Sequence, residues 1–139
     1  MSVKLLSFFI LFQICFSIVN TCTCLHETDT LESFCIEHNV LKLEIKNETK
    51  VDEWNYRYDV NVLKVLKGDE SFIDRKELNT GSGYSYCSLQ LFPYKTMVLA
   101  VDSKMRADFC SYREYFWAGD NKDEYKFSQQ NCTGHNLRD

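Results

Sequence analysis

Proline and glycine are scarce in this chain: of its 139 residues, one is proline and five are glycine. Aromatic residues make up 14% of the chain, and together these values exclude a disordered or low-complexity protein. Three common catalytic motifs are also missing, namely the G-x-S-x-G elbow, the H-E-x-x-H helix and the phosphate-binding loop. The sequence therefore predicts a folded domain that is not an enzyme.

Positive charge is not in excess either. Acidic residues outnumber basic ones, 20 to 16, and the net charge is −4. This balance disfavours nucleic acid and anionic membrane surfaces as main partners. The acids have no spacing diagnostic of acid–base catalysis, so we interpret them as a solvated surface.

One apolar run, residues 5–19, follows Lys4 near the N-terminus. Its length of about 15 residues is short for a membrane span, which needs about 20. No cluster of stop-transfer charges follows it, so it predicts a cleaved secretory signal peptide, and an uncleaved anchor is the less favoured alternative.

Two cleavage sites remain open, because small residues precede both. Cleavage after Thr21 makes residues 1–21 the signal peptide and leaves one domain, residues 22–139, that begins with Cys22. Cleavage after Ser17 makes the chain begin with Ile18. Either site predicts a secreted, extracellular protein.

Seven cysteines are present, and Cys15 belongs to the signal peptide. An even number of remaining cysteines in a secreted small domain predicts three disulfides, but their spacing does not select among the possible pairings. A zinc site formed by Cys22, Cys24 and His26 is disfavoured, because the C-x₂-C spacing of structural zinc sites is absent. The other two histidines are interpreted as surface residues. The six remaining cysteines are Cys22, Cys24, Cys35, Cys87, Cys110 and Cys132.

Alternation of apolar and polar residues predicts a half-buried strand at residues 41–45 and a second strand beginning at Trp54. The second pattern slips by one position, to Leu63 and Val65, which predicts a β-bulge of the kind that bends a strand around a barrel. Residues 67–69 are expected to end this strand.

Further strands are predicted at four places, followed by a helix over residues 121–130. Asp120 is the predicted helix cap, and Tyr125 and Phe127 are expected to face inward. The fold class expected is mainly β with a terminal helix, in a closed Greek-key barrel of the OB type with five or six strands. The four strand predictions are residues 72–78, 88–91 and 96–101, and a final strand closing at 109–110.

Two sequons, at Asn47 and Asn131, are candidate N-glycosylation sites. The second sequon contains Cys132, so its use is expected to be poor. Both sequons agree with secretion, and neither indicates a function.

The order of these features resembles a known family. The start Cys22-Thr23-Cys24, the pair Phe34-Cys35 and the strand from Tyr58-Asp59-Val60 to Leu66-Lys67-Gly68, with Cys87, Cys110 and Cys132, are similar to the N-terminal domain of the tissue inhibitors of metalloproteinases (TIMPs). That domain is a netrin-like (NTR) module. The resemblance covers essentially all of residues 22–139.

The resemblance implies an OB-type barrel with terminal helices. It also implies three disulfides, namely Cys22–Cys87, Cys24–Cys110 and Cys35–Cys132. Because few residues follow Cys132, a single-domain form without the TIMP C-terminal domain is expected. The protein is also expected to be a monomer.

The mechanism that the resemblance implies is inhibition of a zinc metalloproteinase. The α-amine and carbonyl oxygen of Cys22 would chelate the zinc of the target enzyme in trans, so the chain needs no metal or cofactor of its own. The rest of the implied inhibitory ridge is Thr23, Cys24, Leu25, Ser85 and Tyr86. The partners implied are secreted or membrane-anchored zinc metalloproteinases, and matrix components are further candidates.

Three features of this chain depart from the pattern of the family that it resembles. Residues 25–32 replace a stretch that usually contains proline and glutamine, Tyr86 is bulkier than usual, and the hairpin between the first two strands is short. A different function is therefore kept as an alternative: a non-inhibitory netrin-like module that binds a matrix component or cell-surface receptor through another face.

Overall fold

The computed structural model describes residues 22–81, 87–116 and 125–133. Within these ranges the chain is mainly β, with six strands, one short α-helix and two 3₁₀ turns. The predicted signal peptide lies outside the described residues. The strands are β1 Asn39–Lys50, β2 Tyr56–Lys67, β3 Glu77–Thr80, β4 Thr96–Val101, β5 Arg106–Ala107 and β6 Arg113–Tyr115; the helix is α1 Leu31–Ile36, and the 3₁₀ turns are Glu70–Asp74 and Gln129–Cys132.

All six strands belong to one sheet in the order β5-β3-β2-β1-β4-β6. The pairs β1–β2, β1–β4, β2–β3 and β4–β6 are antiparallel, and β3–β5 is parallel. The sheet curls into a half-barrel, which confirms the prediction of a mainly β, barrel-like fold.

The long β1–β2 hairpin has three register shifts, and the predicted bulge is one of them. Val62 lies opposite Leu43 and Lys64 opposite Lys42, so Leu63 is the extra residue. Leu63 is 45% exposed, and the buried pattern resumes only at Val65. The bulge is therefore confirmed, but the expected burial of Leu63 is wrong because the extra residue is pushed out of the ladder.

Inside the curl lies a large apolar cluster, here called the inner core. The alternating residues of β1 and β2 point into it, as predicted. Gly68 ends β2 with a φ of 108°, a backbone conformation that favours glycine. The inner core contains Leu41, Leu43, Ile45, Tyr58, Val60, Val62, Phe72, Leu78, Leu89, Leu91, Met97, Leu99, Val101, Met105 and Ala107.

A second cluster, here called the outer core, covers the opposite face of β1 and β4. There Phe34 of α1 packs edge-on against Tyr112, and the Cys35–Cys132 disulfide joins α1 to residues 129–132. Tyr125 and Phe127 pack against this cluster, as predicted. Lys67 fixes α1, because its ammonium donates to the carbonyl oxygen of Cys35 at 2.6 Å.

Four local predictions differ from the structure. Strand β3 begins at Glu77, because residues 70–74 form a 3₁₀ turn capped by Asp69. Residues 88–91 form no strand, although Leu89 and Leu91 are buried. Phe109 and Cys110 lie in a turn between β5 and β6. Asp120 and residues 121–124 lie outside the described residues, and the described part of the predicted helix contains the start of the 3₁₀ turn instead.

The Tyr58 hydroxyl ties residues 88–91 to the sheet. It donates to Glu48 Oε2 at 2.8 Å and accepts from the backbone N–H of Leu91 at 3.0 Å. Burial raises the pKa of Tyr58 above its usual range, so the hydroxyl stays protonated. This side chain supplies the acceptor that a neighbouring strand would have given Leu91.

We expect Tyr58→Phe to lower the free energy of unfolding by about 1–3 kcal/mol, because it leaves the buried Leu91 N–H without an acceptor. Urea unfolding measures the change. Tyr94→Phe is the matched control, because Tyr94 is 77% exposed and should lose almost nothing. Equal effects of the two substitutions would contradict the role assigned to the Tyr58 hydroxyl.

No helix among the described residues is both long enough and apolar enough to span a bilayer.

Candidate functional site

The predicted inhibitory ridge begins in a segment that two disulfides attach to distant parts of the chain. Cys22 is bonded to Cys87 and Cys24 to Cys110, with Cα atoms 5.6 and 5.4 Å apart. With Cys35–Cys132, these are the pairs that the resemblance implies. Because the cysteines are bridged, the alternative zinc site at Cys22, Cys24 and His26 is wrong.

Exposure alternates along this segment. Cys22 and Cys24 are half-buried, Thr23 is exposed and the Leu25 side chain is 98% exposed. The disulfides therefore hold one side of the segment against the domain, while Thr23 and Leu25 point away from it. Leaving a leucine this exposed forgoes the favourable free energy of burying it, about 1.5–3 kcal/mol.

Residues 28–30 continue the attachment. The backbone N–H of Arg113 donates to the Thr28 carbonyl at 2.9 Å, which places this segment beside β6. Lys126 donates to the Asp29 carbonyl at 3.1 Å and lies 3.7 Å from its carboxylate. Thr30 and Ser33 form a reciprocal capping box that starts α1. These contacts attach the chain between the ridge and α1 to the rest of the domain.

Cys110 is held by a tight turn. Asp108 Oδ1 accepts from the backbone N–H of Cys110 at 2.8 Å, and Ser111 Oγ accepts from the Asp108 N–H at 3.0 Å. Arg113 donates to the Phe109 carbonyl at 2.6 Å and stacks on the Phe109 ring at 5.3 Å. The sequence reasoning missed Asp108, Arg113 and Lys126, and only the Asp-x-x-Ser spacing of the turn could have pointed to one of them.

Ser85 and Tyr86, the remaining predicted ridge residues, lie outside the described residues. The structure describes both ends of their segment, Gly81 and Cys87. Gly81 has a φ of 136°, and a Cβ atom there would contact Asn55 Oδ1 and approach the Trp54 carbonyl to 3.0 Å. The turn of the β1–β2 hairpin therefore packs directly against the start of the segment that carries Ser85 and Tyr86.

We expect Gly81→Ala to lower the free energy of unfolding by about 1–3 kcal/mol, through backbone strain and contact with Asn55. A double-mutant cycle with Asn55→Ala, followed by urea unfolding, tests the contact. The cost of Gly81→Ala should fall in the Asn55→Ala background, because one clashing atom is gone. An unchanged cost would assign the whole effect to the backbone conformation.

A cleft of about 920 Å³ lies between the hairpin turn and the turn after β4, and Cys110 is among its lining residues. Its carboxylates are engaged in local structure. Asp52 accepts from the Trp54 N–H at 2.9 Å, which lowers its pKa. Asp102 is 2.7 Å from the Arg106 guanidinium; partial burial opposes the effect, but hydrogen bonds from Arg106 hold the pKa of Asp102 below its usual value.

Glu37 also lines this cleft, and burial raises the pKa of its carboxyl group. It accepts from the backbone N–H of Tyr112 at 3.3 Å. Among the described residues, no group of three or more His, Cys, Asp and Glu side chains is arranged to hold a metal ion. The acidic residues of the cleft therefore stabilise local backbone structure. The cleft itself lies beside the ridge, since Cys110 is one of its lining residues.

Both glycosylation candidates are exposed. Asn47 donates to Asp59 Oδ2 at 3.3 Å, and Asn131 Oδ1 accepts from the Ser128 N–H at 2.7 Å. The cysteine inside the second sequon is bonded to Cys35. Glycosylation at either site stays a prediction.

Comparison of the sequence with models of protein families gives no match, and comparison with curated proteins gives no matching relative.

Proposed function

We propose that this protein is a secreted inhibitor of zinc metalloendopeptidases, which acts through the N-terminus created by cleavage before Cys22. The observation that carries the proposal is the exposed segment from Cys22 to Leu25, attached by two disulfides and presenting Thr23 and Leu25 to solvent. An inhibitor needs a protruding segment that is ordered before it binds, because ordering on binding would cost affinity.

The chemistry of Cys22 suits a catalytic zinc. Such a zinc has three protein ligands and a fourth position that holds water. An α-amine with an ordinary pKa of about 7.7–8.0 loses its proton readily to zinc, and the neighbouring carbonyl oxygen is a second ligand. The amine and carbonyl of Cys22 would displace that water in the target enzyme and so block its chemistry.

Neighbouring residues have the roles of specificity contacts in this proposal. Thr23 would enter the pocket beside the zinc, and Cys24 and Leu25 would continue along the substrate cleft. Ser85 and Tyr86 would contact adjoining subsites, since Cys87 is bonded to Cys22. The exposed Leu25 side chain would regain on binding the burial that it lacks in the free protein.

The proposal includes the finer part of the fold assignment, a closed OB-type, netrin-like barrel. Strands β1, β2 and β3 form a meander, β5 pairs with β3, and a short turn joins β4 to β5. A barrel closed in the order β1-β2-β3-β5-β4 is the arrangement expected of an OB-type, netrin-like domain. Membership of the TIMP family would explain this topology together with the C-x-C start.

The first test is mass spectrometry of the N-terminal peptide of the secreted, non-reduced protein. The proposal requires a chain that starts at Cys22 with a free amine and a bond to Cys87. A chain that starts at Ile18 would overturn zinc-directed inhibition, since Cys22 would then have no α-amine. Inhibition constants against a panel of secreted and membrane-anchored metalloproteinases would follow.

One observation favours the alternative, a netrin-like module that binds a matrix or cell-surface partner. Tyr94 is 77% exposed, has a φ of 61°, and is fixed because its N–H donates to the Ile45 carbonyl at 2.8 Å. An exposed aromatic held in an unfavourable backbone conformation is common at binding surfaces. Tyr94→Ala should weaken matrix binding in this alternative and leave protease inhibition unchanged in the other.

A further inference from the structure

Two lysines face each other across the central strand pair. Lys42 of β1 lies directly opposite Lys64 of β2, on the face of the sheet that carries the outer core. Side chains opposite each other in an antiparallel pair have Cβ atoms about 4.5–5.5 Å apart, and like charges in such a pair are destabilising. The pairing therefore needs a compensating interaction.

Aromatic rings supply part of that compensation. The Lys42 ammonium lies 5.3 Å from the centre of the Phe116 ring, and the Lys64 ammonium lies 5.1 Å from that of Tyr125. Lys64 also donates to the Tyr125 hydroxyl at 3.1 Å. These contacts attract each cation but neutralise neither charge.

In the described part of the chain, no carboxylate forms an ion pair that would balance the charges of these two lysines. None of its salt bridges includes Lys42 or Lys64. The outer-face acids are used elsewhere: Glu44 is 2.7 Å from Lys46, and Glu114 accepts from the Tyr112 hydroxyl and the Lys126 N–H. Lys42 is nonetheless only 7% exposed, so most of its side chain is covered by the outer core and only the end of the side chain is left to meet an anion.

We propose that Lys42 and Lys64 form a binding site for a tetrahedral oxyanion, a sulfate or phosphate group. One such group between the two ammonium ions would accept hydrogen bonds from both and remove their repulsion. The aromatic rings hold the lysine side chains over the sheet, which reduces the ordering needed on binding. The site is on the outer-core face and is independent of the proposed ridge.

Thermal unfolding of the secreted, disulfide-bonded protein tests the site. Sodium sulfate or phosphate at low millimolar concentration replaces chloride at constant ionic strength. We expect the melting temperature to rise in a saturable manner, with an apparent Kd that increases at least ~10-fold in Lys64→Gln and Lys42→Gln. Lys76→Gln is the matched control, because Lys76 is exposed and has no ion pair among the described residues; it should keep the response.

Lys64 is exposed, so Lys64→Gln keeps the test decisive if Lys42→Gln fails to fold. Equal melting-temperature shifts in all variants would mean a general salt effect and overturn the proposal. A sulfated disaccharide identifies the source of the oxyanion: much tighter binding than inorganic sulfate indicates a sulfated glycan, and equal binding indicates a free anion.

The chain itself offers another counter-charge, because Asp120, Asp123 and Glu124 lie between Phe116 and Tyr125 in the sequence. The variant Asp120→Asn/Asp123→Asn/Glu124→Gln separates the two cases. Unchanged anion binding in this variant supports the proposal. Anion binding that appears only in this variant would assign the lysines to internal acids and overturn it.

Discussion

One alanine added before Cys22 is expected to weaken inhibition of a metalloendopeptidase by at least ~100-fold, about 2.7 kcal/mol. The addition converts the α-amine into an amide, whose nitrogen is a poor zinc ligand at neutral pH. The disulfides that hold the segment are untouched, so the fold should not change.

Inhibition constants measured as a function of pH make this test specific. Because zinc binding must release the amine proton, inhibition by the unmodified chain should weaken as the pH falls below about 7.7–8.0, by up to about tenfold per pH unit. The extended chain should lack this dependence. Leu25→Ala is the useful comparison, since it removes a ridge contact and should keep the pH dependence. Equal inhibition by extended and unmodified chains would exclude zinc chelation by Cys22.

The sequence correctly predicted the strands in which all residues on at least one face are apolar. Strand β4 has the predicted bounds, and the alternation in β1 and β2 identified their inner-core residues. The bulge at Leu63 was visible because an extra residue shifts the phase of a period-two pattern. Local periodicity is sufficient where the burial of a strand depends on its own residues.

Predictions failed where a distant side chain determines the local structure. Residues 88–91 look like a strand, but Leu91 donates to the Tyr58 hydroxyl and to no neighbouring strand. Helix α1 was missed because it is short and its capping box uses Ser33 where glutamate or glutamine is usual. Lys42 was expected on a polar face, but Phe116 covers it from far along the chain.

The residues of the candidate site also fall into two groups, those that the sequence predicted and those that it did not. Cys22, Thr23, Cys24 and Leu25 were available to sequence reasoning because they are contiguous and begin with C-x-C. The residues that hold the adjoining segment were not, since Arg113 and Lys126 are distant in sequence and donate to the backbone carbonyls of Thr28 and Asp29. Contacts of this kind leave no pattern in the sequence, because almost any residue type supplies a backbone group.

Replacing the disulfide of the outer core, as Cys35→Ala/Cys132→Ala, is expected to lower the free energy of unfolding by about 2–5 kcal/mol. This bond joins residues 97 positions apart, and without it the unfolded chain gains conformational freedom. Cys35 is 4% exposed and lies next to Phe34, which contacts Tyr112 and Phe127. Its loss therefore removes buried contacts as well as the covalent link.

The matched control is Cys24→Ala/Cys110→Ala. That bond closes a loop of 86 positions, so the entropic effect is nearly the same, but Cys110 is exposed in its turn. Guanidinium unfolding should give a larger loss for the Cys35–Cys132 bond, and the difference measures the outer-core packing. Inhibition should respond in the opposite order, because only the control bond holds the ridge. If removal of Cys35–Cys132 weakened inhibition of the folded protein more than removal of Cys24–Cys110, the inhibitory surface would have to lie at the outer core, and the ridge proposal would be wrong.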